Sequence, residues 1–168
     1  MKSFFEEKQK CNLKAIWIFI IAVSCFMFTI SAFELSSAFH AEKGASINYF
    51  ALIFPLLIGA GLPLFLYSLT MTTIVNREGI IIKYFPIGKA VIKADDIRSL
   101  EMRSYKAFNE FGGWGIKYGF GKKCYTMSGD KGVEIKLKSG GCILIGSQHN
   151  NEFYEAIIKA AGNNTGSL

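Results

Sequence analysis

The sequence predicts an α+β membrane protein: a two-helix transmembrane hairpin, then a small β-rich domain that ends in one closing helix. Three observations carry this reading. Residues 15–33 and 47–70 contain no Lys, Arg, Asp or Glu. From residue 71 the apolar residues recur with a period of two, and after residue 150 the period lengthens to that of a helix.

A helix that crosses about 30 Å of hydrocarbon needs roughly 20 apolar residues, and both uncharged runs reach that length. A signal peptide has an apolar region of roughly 7–15 residues. The first run is longer and a second follows it closely, so it reads as a retained span. The second span holds Pro55 and Pro63 with Gly59-Ala60-Gly61 between them. Proline removes a backbone donor and bends a helix, and small residues let a neighbouring helix approach. A bent pore is one reading of these residues and hairpin packing the other. Packing is favoured, because neither run contains the ionisable group that marks an ion path.

The net charge of +6 divides as +2 over residues 1–14, −1 over 34–46 and +5 over 71–168. Lys2, Lys8, Lys10 and Lys14 precede the first span, whereas the connection has only Lys43 with Glu34 and Glu42. Arg77, Lys83 and Lys89 follow the second span. Lys and Arg accumulate on the cytoplasmic side, so a multi-pass protein of the cytoplasmic membrane with both termini cytoplasmic is expected. Residues 1–14 form the N-terminal segment, an interfacial extension of the first helix whose Phe4 and Phe5 dip into the headgroups. Residues 15–70 form the hairpin, 71–161 the cytoplasmic domain and 162–168 a flexible tail. The four cysteines, Cys11, Cys25, Cys124 and Cys142, contain no CxxC pair, which suits free thiols in a reducing compartment.

Seven strands are expected in the domain. Residues 70–76 and 79–85 flank a short Arg-Glu-Gly connection, 90–93 follows Pro86-Ile87-Gly88, and Asp95-Asp96 opens 97–105. Strands over 123–127, 133–137 and 142–146 complete the set. In 133–137, Val133, Ile135 and Leu137 face one way while Glu134, Lys136 and Lys138 face the other, toward solvent. A helix beginning at Asn150-Asn151-Glu152 then places Phe153, Ile157 and Ala160 on one face, and Gly162 follows its end.

The stretches TTIVNREGIIIKYFP, DDIRSLEMRSY and FGGWGIKYGFGKKCYTMSGDKGVEIKLKSGGCILIGSQ resemble the bacterial PH-like domain of small membrane proteins of uncharacterised function. The resemblance covers about residues 15–160, and Gly-Gly-Trp-Gly-Ile followed by Ser-Gly-Asp-Lys-Gly-Val is its most specific part. It implies a seven-stranded PH-like barrel or sandwich with a C-terminal closing helix, carried behind two spanning helices. Relatives of this kind have Pro near the start of the closing helix, where this chain has His149-Asn150-Asn151. The resemblance supplies no catalytic residues, and a fold alone does not give function.

No residue pattern points to catalysis or to a cofactor. The glycine run 112–121 lacks the G-x-x-x-x-G-K-[ST] spacing of a phosphate loop, so its glycines are read as a tight β-turn with bulges. His40 and His149 are the only histidines, and no Cys/His cluster has metal-ligand spacing. Cys124 and Cys142 fall inside strands, where a thiol acts as a small hydrophobe. Asp95 and Asp96, being adjacent, begin a strand or cap its turn rather than pair as acid and base. Weak candidates for contact with anionic lipid are Lys122, Lys123, Lys136 and Lys138. The membrane tether and the lack of a recognition motif argue against nucleic acid. The function expected is therefore a non-enzymatic binding or interaction module at the cytoplasmic membrane face, with membrane lipids and a protein partner or a second copy of the chain. The alternative is an oligomeric small transporter or channel-like component.

Overall fold

The computed structural model describes residues 3–11, 14–40, 48–119 and 122–162. Of the expected tail 162–168 all but Gly162, and of the connection between the two apolar runs residues 41–46, lie outside the described residues. Within them the chain forms two compact units, one helical (from residue 12 to Ser68) and one sheet-rich (through Cys11 and again from Leu69).

The helical unit contains α1 (Lys14–His40) and α2 (Tyr49–Ser68), both long and apolar enough to cross a membrane. A soluble core helix would hide its apolar surface. Here only 17% and 11% of their most apolar windows are buried, and Phe19, Phe33 and Leu57 point outward. Pro55 and Gly59 of α2 are buried instead. A Cβ added at Gly59 would lie 3.3 Å from the Met27 Cβ, so the glycine permits close packing of the two helices. The Ser31 hydroxyl lies 3.1 Å from the Leu52 carbonyl, an interhelical hydrogen bond for which the Met27 carbonyl of its own helix competes.

The sheet-rich unit begins before the helices. Residues Phe5–Lys10 are a strand, β1, not an extension of the first helix. They pair antiparallel with β2 (Thr70–Asn76), Phe5 opposite Val75 and Lys10 opposite Thr70. β3 (Gly79–Phe85) and β4 (Gly88–Lys93) complete a four-stranded meander in which Thr70 faces Phe85 and Tyr84 faces Gly88. Phe5 turns inward onto the core, so it does not reach toward headgroups.

Among the described residues the second sheet has five strands: β5 (Ile97–Ser104), β6 (Gly115–Gly119), β7 (Lys122–Thr126), β8 (Lys131–Leu137) and β9 (Cys142–Gly146). Their order is β5-β8-β9-β7-β6, with β7 and β9 parallel. Where a seven-stranded barrel or sandwich was expected, the described residues form two sheets with nine strands and no closed barrel. The additions are β1 and β6. The glycine run, expected to be a turn with bulges, is a strand over Gly115–Gly119, which pairs in register with β7. The turn chemistry sits just upstream, where Gly112 ends the short helix α3 (Ala107–Phe111) at φ 67°.

The two sheets enclose one core that includes Met71, Ile80, Ile82, Val133, Ile135 and Ile145. The last helix, α4 (Asn150–Gly162), covers it with Phe153, Ala156, Ile157 and Ala160. This is the face expected for the closing helix, with Ala156 added. The Phe153 ring packs against Phe5 at 5.3 Å between centroids. The Tyr84 hydroxyl reaches the Thr126 carbonyl at 3.4 Å and ties one sheet to the other. Burial pushes its pKa up to about 12, which keeps it a neutral donor.

Candidate functional site

Two concave surfaces flank β5, an edge strand that among the described residues pairs only with β8. A bulge between Ile97 and Ser99 interrupts the pairing and leaves Arg98 between the two surfaces, lining both. Bulges are a common device at exposed sheet edges.

The larger surface is a groove of about 430 Å³ between β5 and α4. Leu100, Tyr154 and Ile158 give it apolar walls, and Asp95, Arg98 and Lys138 supply charge at its rim. Asp95 and Asp96 belong to a single 3-10 turn, and the Asp96 carbonyl accepts the Lys138 amide at 2.8 Å. Lys138 is thereby fixed by its backbone beside the groove.

The second surface, of about 350 Å³, lies on the side of the five-stranded sheet facing away from the main core. Strand alternation brings Lys122, Glu134, Lys136 and Cys142 to this side. Sequence reasoning turned Glu134 toward solvent, but α3 and its neighbours build a small second core here from Tyr105, Ala107, Cys124 and Leu144. Glu134 is therefore only 4% exposed. A buried carboxylate needs partners, and it has them. Lys122 Nζ donates to both oxygens at 2.9 Å, and Arg103 Nη1 donates to one at 2.8 Å. Arg103 also pairs with Glu110 of α3.

Burial raises the Glu134 pKa, but hydrogen bonds from Lys122, Cys142 and Arg103 outweigh it and bring the value from 4.5 to about 2. The folded pKa lies below the unfolded one, so the stabilisation is complete above about pH 4.5 and is lost as pH falls through about 2. Arg103 and Lys122 are 26% and 35% exposed, and solvent screening reduces the effect to on the order of 1–3 kcal/mol. Acidification should therefore lower the unfolding temperature of wild type more steeply than that of Glu134→Gln in mild detergent. Equal acid slopes for the two proteins would remove Glu134 as the cause.

The four candidate lysines do not form one patch. Lys122 is held by Glu134, and Lys136 lies 3.9 Å from Glu101. Lys123 stacks over the Tyr118 and Tyr125 rings at 5.1 and 5.2 Å. Lys138 alone of the four stands at the groove. Sequence reasoning did not find Arg98, Arg103, Glu110 or Tyr154. A charged residue at each strand position facing away from the core was the available signal, but the cross-strand register that joins them was not.

Neither strand cysteine is activated as a nucleophile. Burial pushes the Cys124 thiol up to about 11. Burial and then the hydrogen bond to Glu134 raise that of Cys142. Both shifts oppose formation of the reactive thiolate. Among the described residues no group of three or more His, Cys, Asp or Glu side chains is placed to hold a metal ion. The His40 ring nitrogen meets the Ser36 carbonyl at 2.8 Å, and His149 lies 3.9 Å from Glu152.

The chain belongs to DUF6141, a family of unknown function whose model matches residues 4–163. The match starts one residue before β1 and ends just past α4, so the early strand, the two helices and both sheets fall within one family unit. No curated protein matches the chain.

Proposed function

We propose that this chain is an integral protein of the cytoplasmic membrane that presents a PH-like, non-enzymatic interaction module on the cytoplasmic face. In this reading α1 and α2 span the bilayer, and the Lys bias of their flanks sets the orientation. Two sheets with a C-terminal helix over the core support the PH-like description. The partner is an extended segment of another protein that adds to the edge of β5 in the groove beside α4. The observation that carries this is the unpaired edge itself. Among the described residues no second strand pairs with its outer side, which suits strand addition, and the apolar walls of the groove offer seats for alternate side chains.

A photo-crosslinking residue at Ser99 in the full-length chain, irradiated in cells, tests the proposal. One reproducible protein adduct is expected there and not from the same residue at Lys131, and Ile158→Asp should abolish it. Adducts confined to a second copy of the chain would replace the partner by self-association. Equal, unselective labelling at both positions would overturn the groove as a binding site.

A further inference from the structure

The register of the four-stranded sheet gathers an apolar turn and a band of lysines at one end. β1 leads into α1 just beyond Lys10, and a single residue, Leu69, separates α2 from β2. Lys10, Thr70 and Phe85 lie in one lateral row across the sheet. That end therefore joins both apolar helices by connectivity alone. The turn between β3 and β4 closes the same end, and it consists of Phe85, Pro86 and Ile87. Phe85 and Ile87 are 62% and 58% exposed, although a soluble turn would place polar residues there.

Two rows inward, on the same face as Lys10, stand Lys8, Thr72, Lys83 and Lys89. Strand alternation puts Lys8, Lys10, Lys83 and Lys89 on the outer side of the sheet, opposite Met71, Ile82 and Tyr84, which enter the core. Lys83 and Lys89 stand directly across from each other. Like charges in that position destabilise a sheet, and neither has an ion-pair partner among the described residues. An anionic layer over the pair removes the penalty. Apolar side chains at a tip with a basic band behind them match the interfacial region of a bilayer, where apolar groups enter and cations stay at the headgroups.

We propose that Phe85 and Ile87 form a wedge inserted into the interfacial layer of the membrane, with Lys8, Lys10, Lys83 and Lys89 over anionic headgroups. This rests on the reading of α1 and α2 as spans. The wedge and the two chain connections hold the sheet-rich unit at three points along one edge. The lipid-facing region is then the β3–β4 turn end of the four-stranded sheet with the lysines on its outer face, not the side that carries Lys122 and Lys136. The groove beside α4 is left for a protein.

The test uses the full chain in nanodiscs of anionic lipid with acyl chains brominated near the headgroup, which quench tryptophan on contact. The chain has two tryptophans, Trp17 in α1 and Trp114. Trp114→Phe leaves Trp17 as the reporter of the span. Ile87→Trp, in a background of Trp17→Phe and Trp114→Phe, reports on the wedge, and Phe85→Trp repeats the measurement from the neighbouring strand end. Arg77→Trp reports from the turn at the opposite end of the sheet, about 20 Å away for six residues of strand. Quenching of Ile87→Trp should exceed that of Arg77→Trp by at least about twofold, and it should fall in zwitterionic lipid. Equal quenching at positions 87 and 77 with Trp17 quenched would overturn the wedge and leave the spans standing, the turn then facing water or protein. An unquenched Trp17 would overturn the spanning reading and the wedge with it. Unchanged quenching at position 87 in zwitterionic lipid would overturn the headgroup role of the lysines.

Discussion

A chain that starts at Leu69 and ends at Gly162 should show no cooperative unfolding transition, although it contains eight of the nine described strands and α4. β1 supplies six register partners to β2 and three inward side chains, Phe5, Glu7 and Gln9, all buried. Without it, Met71, Thr73 and Val75 lie at an open edge and Phe153 loses its ring neighbour. Removal of a buried Phe alone costs about 3–5 kcal/mol. The Glu7 carboxylate accepts the Ser147 hydroxyl at 2.7 Å and the Gln148 amide at 2.9 Å, and Gln9 Nε2 donates to the Gly146 carbonyl at 3.0 Å. Those groups would be left without partners, at about 1–3 kcal/mol for each that stays buried. The sum approaches or exceeds the 5–15 kcal/mol that holds a typical domain together. Because Lys10 lies opposite Thr70, a short Asn-Gly turn can replace the entire helical hairpin and restore β1. Residues 3–10 joined by that turn to 70–162 should unfold with a sharp thermal transition by near-UV circular dichroism. A sharp transition from the chain that lacks β1 would show that the early strand is dispensable.

The same strand shows what the sequence conceals. Where one face of a strand is apolar, the pattern was legible: 70–76, 79–85 and 142–146 were placed with the bounds observed, and 133–137 missed only two residues at its start. β1 alternates just as strictly between buried and exposed, but two of its inward residues are Glu7 and Gln9. They are tolerated inside because Ser147 and Gln148, almost the whole chain away, donate to Glu7 and the Gly146 carbonyl accepts from Gln9 Nε2. No local window contains that information. β6 was hidden because glycines dilute its pattern. Alternation alone turns Glu134 toward solvent, because nothing in its own strand announces the second core beside it. The candidate surfaces were legible only as a class, an edge strand and the groove beside a closing helix. Their residues depend on which strand lies at the edge and on the bulge at Arg98, both properties of the assembled sheet.

Phe153→Ala should destabilise the sheet-rich unit by about 3–5 kcal/mol, the range for truncating a fully buried aromatic ring. Phe153 is 0% exposed and sits where α4 meets both ends of the chain. It touches Phe5 of β1, and its amide donates to the His149 carbonyl at 3.0 Å in the first turn of the helix. The loss of the ring leaves a cavity bounded by two sheets that cannot both move inward, so relaxation recovers little of the cost. Ile158→Ala on the exposed side of the same helix should change stability by only about 0.5 kcal/mol, which separates core packing from helix propensity. Trp114 fluorescence in a Trp17→Phe background reports on the sheet-rich unit without interference from the helices. The decisive measurement is the double-mutant cycle with Phe5→Ala. An aromatic pair in contact contributes about 0.5–1.5 kcal/mol beyond the area it buries, and neighbours that share a cavity are non-additive. Coupling of that size would mean that the strand before α1 and the helix at the far end of the chain fold as one cooperative unit, with the hairpin inserted between its first two strands. Strict additivity, or a Phe153→Ala cost no larger than that of Ile158→Ala, would show that α4 is not what closes the core.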